Sequence, residues 1–238
     1  MATMREITNR VLQVLGEDEI PTGDSEVTDK YQKLVYTFVN QIKEEVEDAT
    51  NWRALKNIEL MTLLVSTDNL IIAGTNDRTR LLREYNAVSG IENPICIDVT
   101  NPDAPQNIRE QDLTHLLRDT YLSLQLDDAA NAPSRFALDS DPATGAVVFR
   151  VRRPLNLERS IYIALIQPQD RFDFDDIDTH VKVPARPIEM GALWYALEER
   201  GEELGVNGVF SQTKYRDALD DAVSKDQAEQ GGLNLVPT

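Results

Sequence analysis

The chain has 238 residues, 41% of them hydrophobic and 27% charged, with 41 Asp and Glu against 24 Lys and Arg and a formal net charge of −17. That length and composition suit a folded protein with a sizeable core and exclude a disordered one. A surface this negative repels phosphate backbones and anionic lipid, which argues against sequence-specific nucleic-acid binding and against membrane association.

The acids are unevenly placed. Residues 1–53 carry 11 acids and 6 bases, 54–110 carry 8 and 5, 111–169 carry 7 and 6, and 170–238 carry 15 and 7. The two ends are therefore acidic and the middle is nearly balanced. A single cysteine, Cys96, excludes an intrachain disulfide, and its setting Pro94-Ile95-Cys96-Ile97 reads as a buried strand thiol. The start, Met1 to Glu6, lacks an apolar signal core. The longest nearly uncharged run, Leu60 to Ala73, contains Asp68 and several polar residues and is not expected to span a membrane.

In chain order, Ile7, Val11, Leu12, Val14 and Leu15 fall largely on one helical face, and Gly16 is placed to end that helix. A loop with Pro21 and Gly23 follows. Ser25 is read as the cap of a long helix with Val27, Tyr31, Leu34, Val35, Phe38, Ile42, Val46 and Ala49 at three- and four-residue steps. It runs to Asn51-Trp52, about 40 Å at 1.5 Å per residue. Its outer face is read as Lys30, Lys33 and Lys43 alternating with Glu44, Glu45, Glu47 and Asp48.

The period then shortens. Leu60 to Val65, Leu70 to Ala73, Leu81 to Val88 and Pro94 to Val99 read as strands between turn-forming clusters. Leu113, Leu116, Leu117, Thr120 and Leu124 restore helical spacing over 110–124. Arg135 to Leu138 and Ala146 to Arg153 form a hairpin across Asp141-Pro142-Ala143-Thr144-Gly145, with Val147, Phe149 and Val151 on one face and Arg150 and Arg152 on the other. Ile161 to Ile166 is a further strand.

The run Asp170 to Asp178 reads as an exposed acidic loop pinned by Phe172, Phe174 and Ile177. A helix starts after Pro184-Ala185-Arg186-Pro187 and is read as ending between Gly205 and Gly208. A last helix spans 211–229, with Tyr215, Leu219, Ala222, Val223 and Ala228 inward. The expected architecture is α+β. Residues 1–56 and 184–230 form a small helical bundle whose core includes Leu34, Phe38, Trp52, Leu193, Trp194 and Leu197. Residues 57–183 form an inserted β-rich region with one helix, and 231–238 an extended apolar tail.

No pattern of catalytic chemistry emerges, and the reading is of a non-enzyme without cofactor or metal. His115, one turn from Asp112 and Asp119, reads as part of a solvated helix face, and His180 has no metal-ligand spacing. The aspartates of 170–178 lack the central glycine and terminal glutamate of a helical calcium hand. The glycines Gly201, Gly205 and Gly208 stand at a helix end, away from any strand-to-helix phosphate loop, and Cys96 has no neighbouring base. The arginines Arg150, Arg152, Arg153 and Arg159 are the densest basic cluster. They read either as ordinary surface or as a patch that meets the acidic loop of a neighbouring copy at Asp173, Asp175 and Asp176.

Ile7-Thr8-Asn9-Arg10-Val11-Leu12-Gln13-Val14-Leu15-Gly16-Glu17, the pair Ile20-Pro21, and a long helix closing on Asn51-Trp52-Arg53-Ala54-Leu55 together resemble the tail tubular protein A family of head-to-tail adaptors in short-tailed bacteriophages. A weaker resemblance to other phage adaptors lies in Pro184 to Gly205, with Glu198-Glu199-Arg200-Gly201-Glu202-Glu203. The resemblance implies a virion protein assembled in the host cytoplasm. It implies a ring of usually twelve copies, docked on the portal protein and joined to a tail nozzle or other tail protein, with DNA passing through the centre. The segment Leu233, Leu235 and Val236 is then a candidate contact to the portal or a neighbour. The alternatives are an acidic binding or regulatory module that recruits a basic protein, and a hydrolase whose carboxylates the pattern does not reveal.

Overall fold

The computed structural model describes residues 1–64, 69–86, 91–117, 135–151, 157–201 and 206–231; the side chains of 84–86, 91, 92, 206–209 and 231 are outside that description. The fold is α+β and divides into two compact units, Met1–Leu55 with Pro168–Thr238, and Lys56–Gln167. The helical unit carries 26 acids against 13 Lys and Arg, the β unit 15 against 11, so most of the negative charge resides in the helical unit, its loops included.

In the helical unit, α1 (Met4–Leu15) starts on a capping box. Thr3 Oγ1 accepts from the Glu6 N–H, and the Glu6 carboxylate accepts from the Thr3 N–H. It ends where Gly16 turns left-handed at φ +71°. Ile7, Val11 and Leu12 are buried, whereas Val14 faces solvent.

Helix α2 (Lys30–Ala49) begins four residues later than the Ser25 cap implied: Asp29 Oδ1 accepts from the N–H groups of Tyr31 (2.8 Å) and Gln32 (3.0 Å). Val27 is buried from the preceding loop, which explains why it fits the helical spacing without being helical. The helix is 20 residues long, about 30 Å. Lys43 and Glu47, assigned above to its outer face, are fully buried, for reasons given below.

Helix α3 (Ala185–Glu199) has Pro184 at its cap and stops at Gly201, φ +69°, before the glycines expected to end it. Helix α4 (Val206–Gly231) is longer than read from the sequence; Tyr215 and Ala218 are its buried positions, and Ala228 is exposed. Helix α3 is central, packing against α1, α2 and α4. At its crossing with α2, a Cβ on Gly191 would stand 2.6 Å from Ile42 Cγ2, so only glycine permits this approach. Trp52 is buried and donates its indole N–H to the Val46 carbonyl. Leu34, Phe38, Leu193, Trp194 and Leu197 are half-buried. The fully buried positions on α2 are instead Val35, Tyr36, Val39, Ile42 and Val46, and Ile188, Ala192 and Ala196 are those of α3.

The β unit is two antiparallel-dominated sheets sharing one core. The first has the order β1 (Lys56–Leu63), β11 (Arg159–Ile166), β6 (Cys96–Asp98), β7 (Gln106–Asn107), with β3 (Arg80–Leu81) also pairing β11. The second runs β2 (Asn69–Ile71), β10 (Val147–Val151), β9 (Arg135–Ser140), β8 (Arg109–Glu110), the last pair parallel. A ribbon of β4 (Arg83–Asn86) and β5 (Ile91–Pro94) completes it. Met61, Leu63, Ile161, Ile163, Leu165 and Cys96 from the first sheet meet Ile72, Phe136, Val147, Phe149 and Val151 from the second. Phe136 and Phe149 stack at 5.1 Å. The hairpin turn at 141–145 closes with Gly145 at φ +70° and its N–H on the Asp141 carbonyl. Of the helix expected at 110–124, residues 113–117 are helical and the remainder lies outside the described residues.

Candidate functional site

The segment that returns from the β unit, residues 168–183, belongs to the helical unit rather than to the insert. The reason is a set of side chains on α1 and α2 that hold its main chain. Lys43 Nζ donates to the carbonyls of Gln169 (3.1 Å) and Asp170 (2.7 Å), lies 3.7 Å from Glu47 Oε1, and sits 4.3 Å over the Phe172 ring. Glu47 accepts from the Gln169 N–H at 3.3 Å. The Asn40 amide brackets Phe172, donating to its carbonyl at 2.9 Å and accepting its N–H at 3.1 Å. Tyr36 Oη donates to the Asp173 carbonyl. One face of α2, turn after turn, therefore serves as a clasp for an irregular stretch of backbone.

Arg5 on α1 holds the segment by a side chain, that of Asp178. Its guanidinium is almost wholly buried and binds Asp178 through Nε (2.9 Å) and Nη2 (3.1 Å), and it also donates to the carbonyls of Pro21 and Asp24. Asn9 fixes the same loop by exchanging hydrogen bonds with the Ile20 main chain. The Arg5 hydrogen bond holds the Asp178 carboxyl below the usual carboxylate range. Arg200, just past α3, donates to Tyr31 Oη (2.6 Å), the Leu15 carbonyl and Glu17. Helix α4 is attached through a tyrosine pair: Tyr195 and Tyr215 both donate to Glu45, and Trp194 stacks on Tyr215. Burial first, then the Glu45 carboxylate, pushes both phenols up to about 12.

These contacts make Asp173, Asp175 and Asp176 exposed projections from a tethered segment; their carboxylates lie within 4.8 Å of one another. Of the arginines expected opposite them, Arg150 lies on β10 and binds Asp139 of the paired strand at 2.9 Å. Arg159 is turned toward buried Asp98 at 3.5 Å. Arg152, Arg153, Leu233, Leu235 and Val236 lie outside the described residues. His115 Nδ1 is 3.4 Å from Asp112 on an exposed turn, and His180 pairs its backbone with Thr3.

A feature the sequence reading passed over is the outer row of β1. Ile58 and Leu60 are 67% and 56% exposed, and Tyr162, the direct cross-strand partner of Leu60, is 40% exposed. The inner row holds Asn57 and Glu59 ahead of buried Met61 and Leu63. The signal was present as strict alternation of exposed Ile58 and Leu60 with inward Met61 and Leu63, hidden because both sets are hydrophobic.

Neither a protein-family model nor a curated protein matches the sequence. Among the described residues no helix is long and apolar enough to cross a membrane.

Proposed function

We propose that the protein is a structural component of a bacteriophage particle, a head-to-tail adaptor that forms a ring between portal and tail with DNA passing through its centre. The observation that carries the reading is the ordered N-terminal pattern from Ile7 to Leu55. Each landmark in it has a physical task in the helical unit. Gly16 supplies the left-handed stop, Asn9 clasps Ile20 ahead of Pro21, and Trp52 seals the end of α2. A ring subunit needs two unlike surfaces that close by rotation. An excess of acids concentrated in the helical unit suits a wall past which DNA moves without adhering, since phosphate attachment depends on Lys and Arg.

The test is electron microscopy of the purified chain alone and mixed with portal protein. A ring, expected to be twelve-fold, that seats on the portal supports the adaptor reading. A small fixed-stoichiometry complex with a basic protein, and no ring on the portal, would replace it with an acidic recruiting module.

A further inference from the structure

The outer edge of β1 exposes apolar side chains that no described strand covers. Among the described residues β1 is hydrogen-bonded to β11 on one side and has no strand on the other. It is eight residues long, and long apolar edges are normally protected by charge, proline or a bulge because they invite pairing. The outward row here is Lys56, Ile58, Leu60 and Thr62, with its only charge at the first position. Exposed Ile58, Leu60 and Tyr162 form a contiguous apolar surface beside the edge.

We infer that this edge receives residues 233–236 of a second copy as an added strand. That segment, Leu233-Asn234-Leu235-Val236, alternates so that the two leucines share a face, and a strand laid beside β1 sets them against Ile58 and Leu60. Gly231 and Gly232 precede it, allowing the chain to leave the line of α4, and Pro237 ends the ladder by lacking an N–H. Charge favours a second copy of this chain. Copies carrying −17 each repel over most of their surface, and residues 231–238 contain no charged side chain, so this contact brings apolar row to apolar row without opposing acids. Each copy offers one edge and one strand, a head-to-tail contact that continues from copy to copy until rotation closes it. The inference takes its ring geometry from the adaptor reading.

The experiment mixes full-length chains bearing Leu60→Cys with full-length chains bearing Leu235→Cys, with and without portal protein, under mild oxidation. Native Cys96 is buried and contributes little background. The control pair is Val14→Cys, an exposed site on α1, with Leu235→Cys. The expected result is a disulfide-linked heterodimer at roughly tenfold or more the control yield, as the raised local concentration of a seated strand requires. Equal yields from the test and control pairs, both with and without portal protein, overturn the inference. So does a Leu60→Cys, Leu235→Cys double variant that forms only an intrachain bridge at the concentration used for the mixture, since the strand then belongs to its own copy. Imaging the same samples separates the two ideas. Rings that persist at full yield after deletion of 233–238 reject the strand and leave the adaptor, whereas selective cross-linking without rings supports the strand and rejects the adaptor.

Discussion

Replacing Lys43 with methionine keeps most of the side-chain volume and removes the charge that holds the returning segment. The loss has three parts: the hydrogen bonds to the Gln169 and Asp170 carbonyls, the ring contact with Phe172, and the charge that balances Glu47. Both members of the pair are inaccessible to solvent, so the Glu47 carboxylate would be left buried without its counter-charge. Breaking a buried pair from one side costs about 3–5 kcal/mol, a large share of the 5–15 kcal/mol typical of a folded domain. The two tryptophans of the chain, Trp52 and Trp194, both lie in the helical unit, so their fluorescence through a urea titration reports that unit alone. Lys43→Met should unfold at clearly lower urea, with little change in slope, and the double change Lys43→Met, Glu47→Leu should recover most of the loss because neither charge remains to be buried. If Lys43→Met alone unfolds within about 1 kcal/mol of the parent, well below that range, the clasp is not what holds residues 168–183.

Gly191→Ala should destabilise the helical unit by about 1–3 kcal/mol in the same titration, since the new methyl meets Ile42 at the α2–α3 crossing and overpacking outweighs the gain in helix propensity. Asp178 has a folded pKa below its unfolded value of about 3.9, so its contribution is complete above that pH and is lost as pH falls through the folded pKa. Asp178→Asn should therefore flatten the fall in stability below about pH 4, and an unchanged acid limb would dissociate Arg5 from it. Glu45→Gln should lower the late phenolate titration near pH 12 that Tyr195 and Tyr215 share, read by near-ultraviolet absorbance. Burial pushes the Cys96 thiol up to about 12, so an aromatic disulfide reagent should label it only as the β unit opens, giving that unit a probe independent of the tryptophans.

The hairpin of β9 and β10 was legible because its turn carries the chemistry it needs, an Asp at one end and a Gly at positive φ at the other. Helix α1 was legible through the spacing of Ile7, Val11 and Leu12 and the stop at Gly16, whereas its Thr3–Glu6 capping box emerged only from the structure. The assignment of 168–183 was not, because Lys43, Asn40 and Tyr36 bind its carbonyls and N–H groups, which every sequence has alike. Lys43 and Glu47 themselves sit among Glu44, Glu45 and Asp48, where composition says solvent and only the path of a distant segment says otherwise. The two-residue strands β3, β7 and β8 are too short for any period to show, and they exist because β11, β6 and β9 offer them an edge.

The pairing of β1 with β11 sets Lys56 opposite Ile166, so the first and last strands of the insert emerge side by side. Before that pairing forms, the two halves of the helical unit are the ends of a loop on the order of a hundred residues, and closing it costs about 4 kcal/mol of chain entropy. Afterwards they are tethered a few residues apart. Pairing β1 with β11 thus meets, within the insert, the chain-entropy cost of bringing the two halves of the helical unit together.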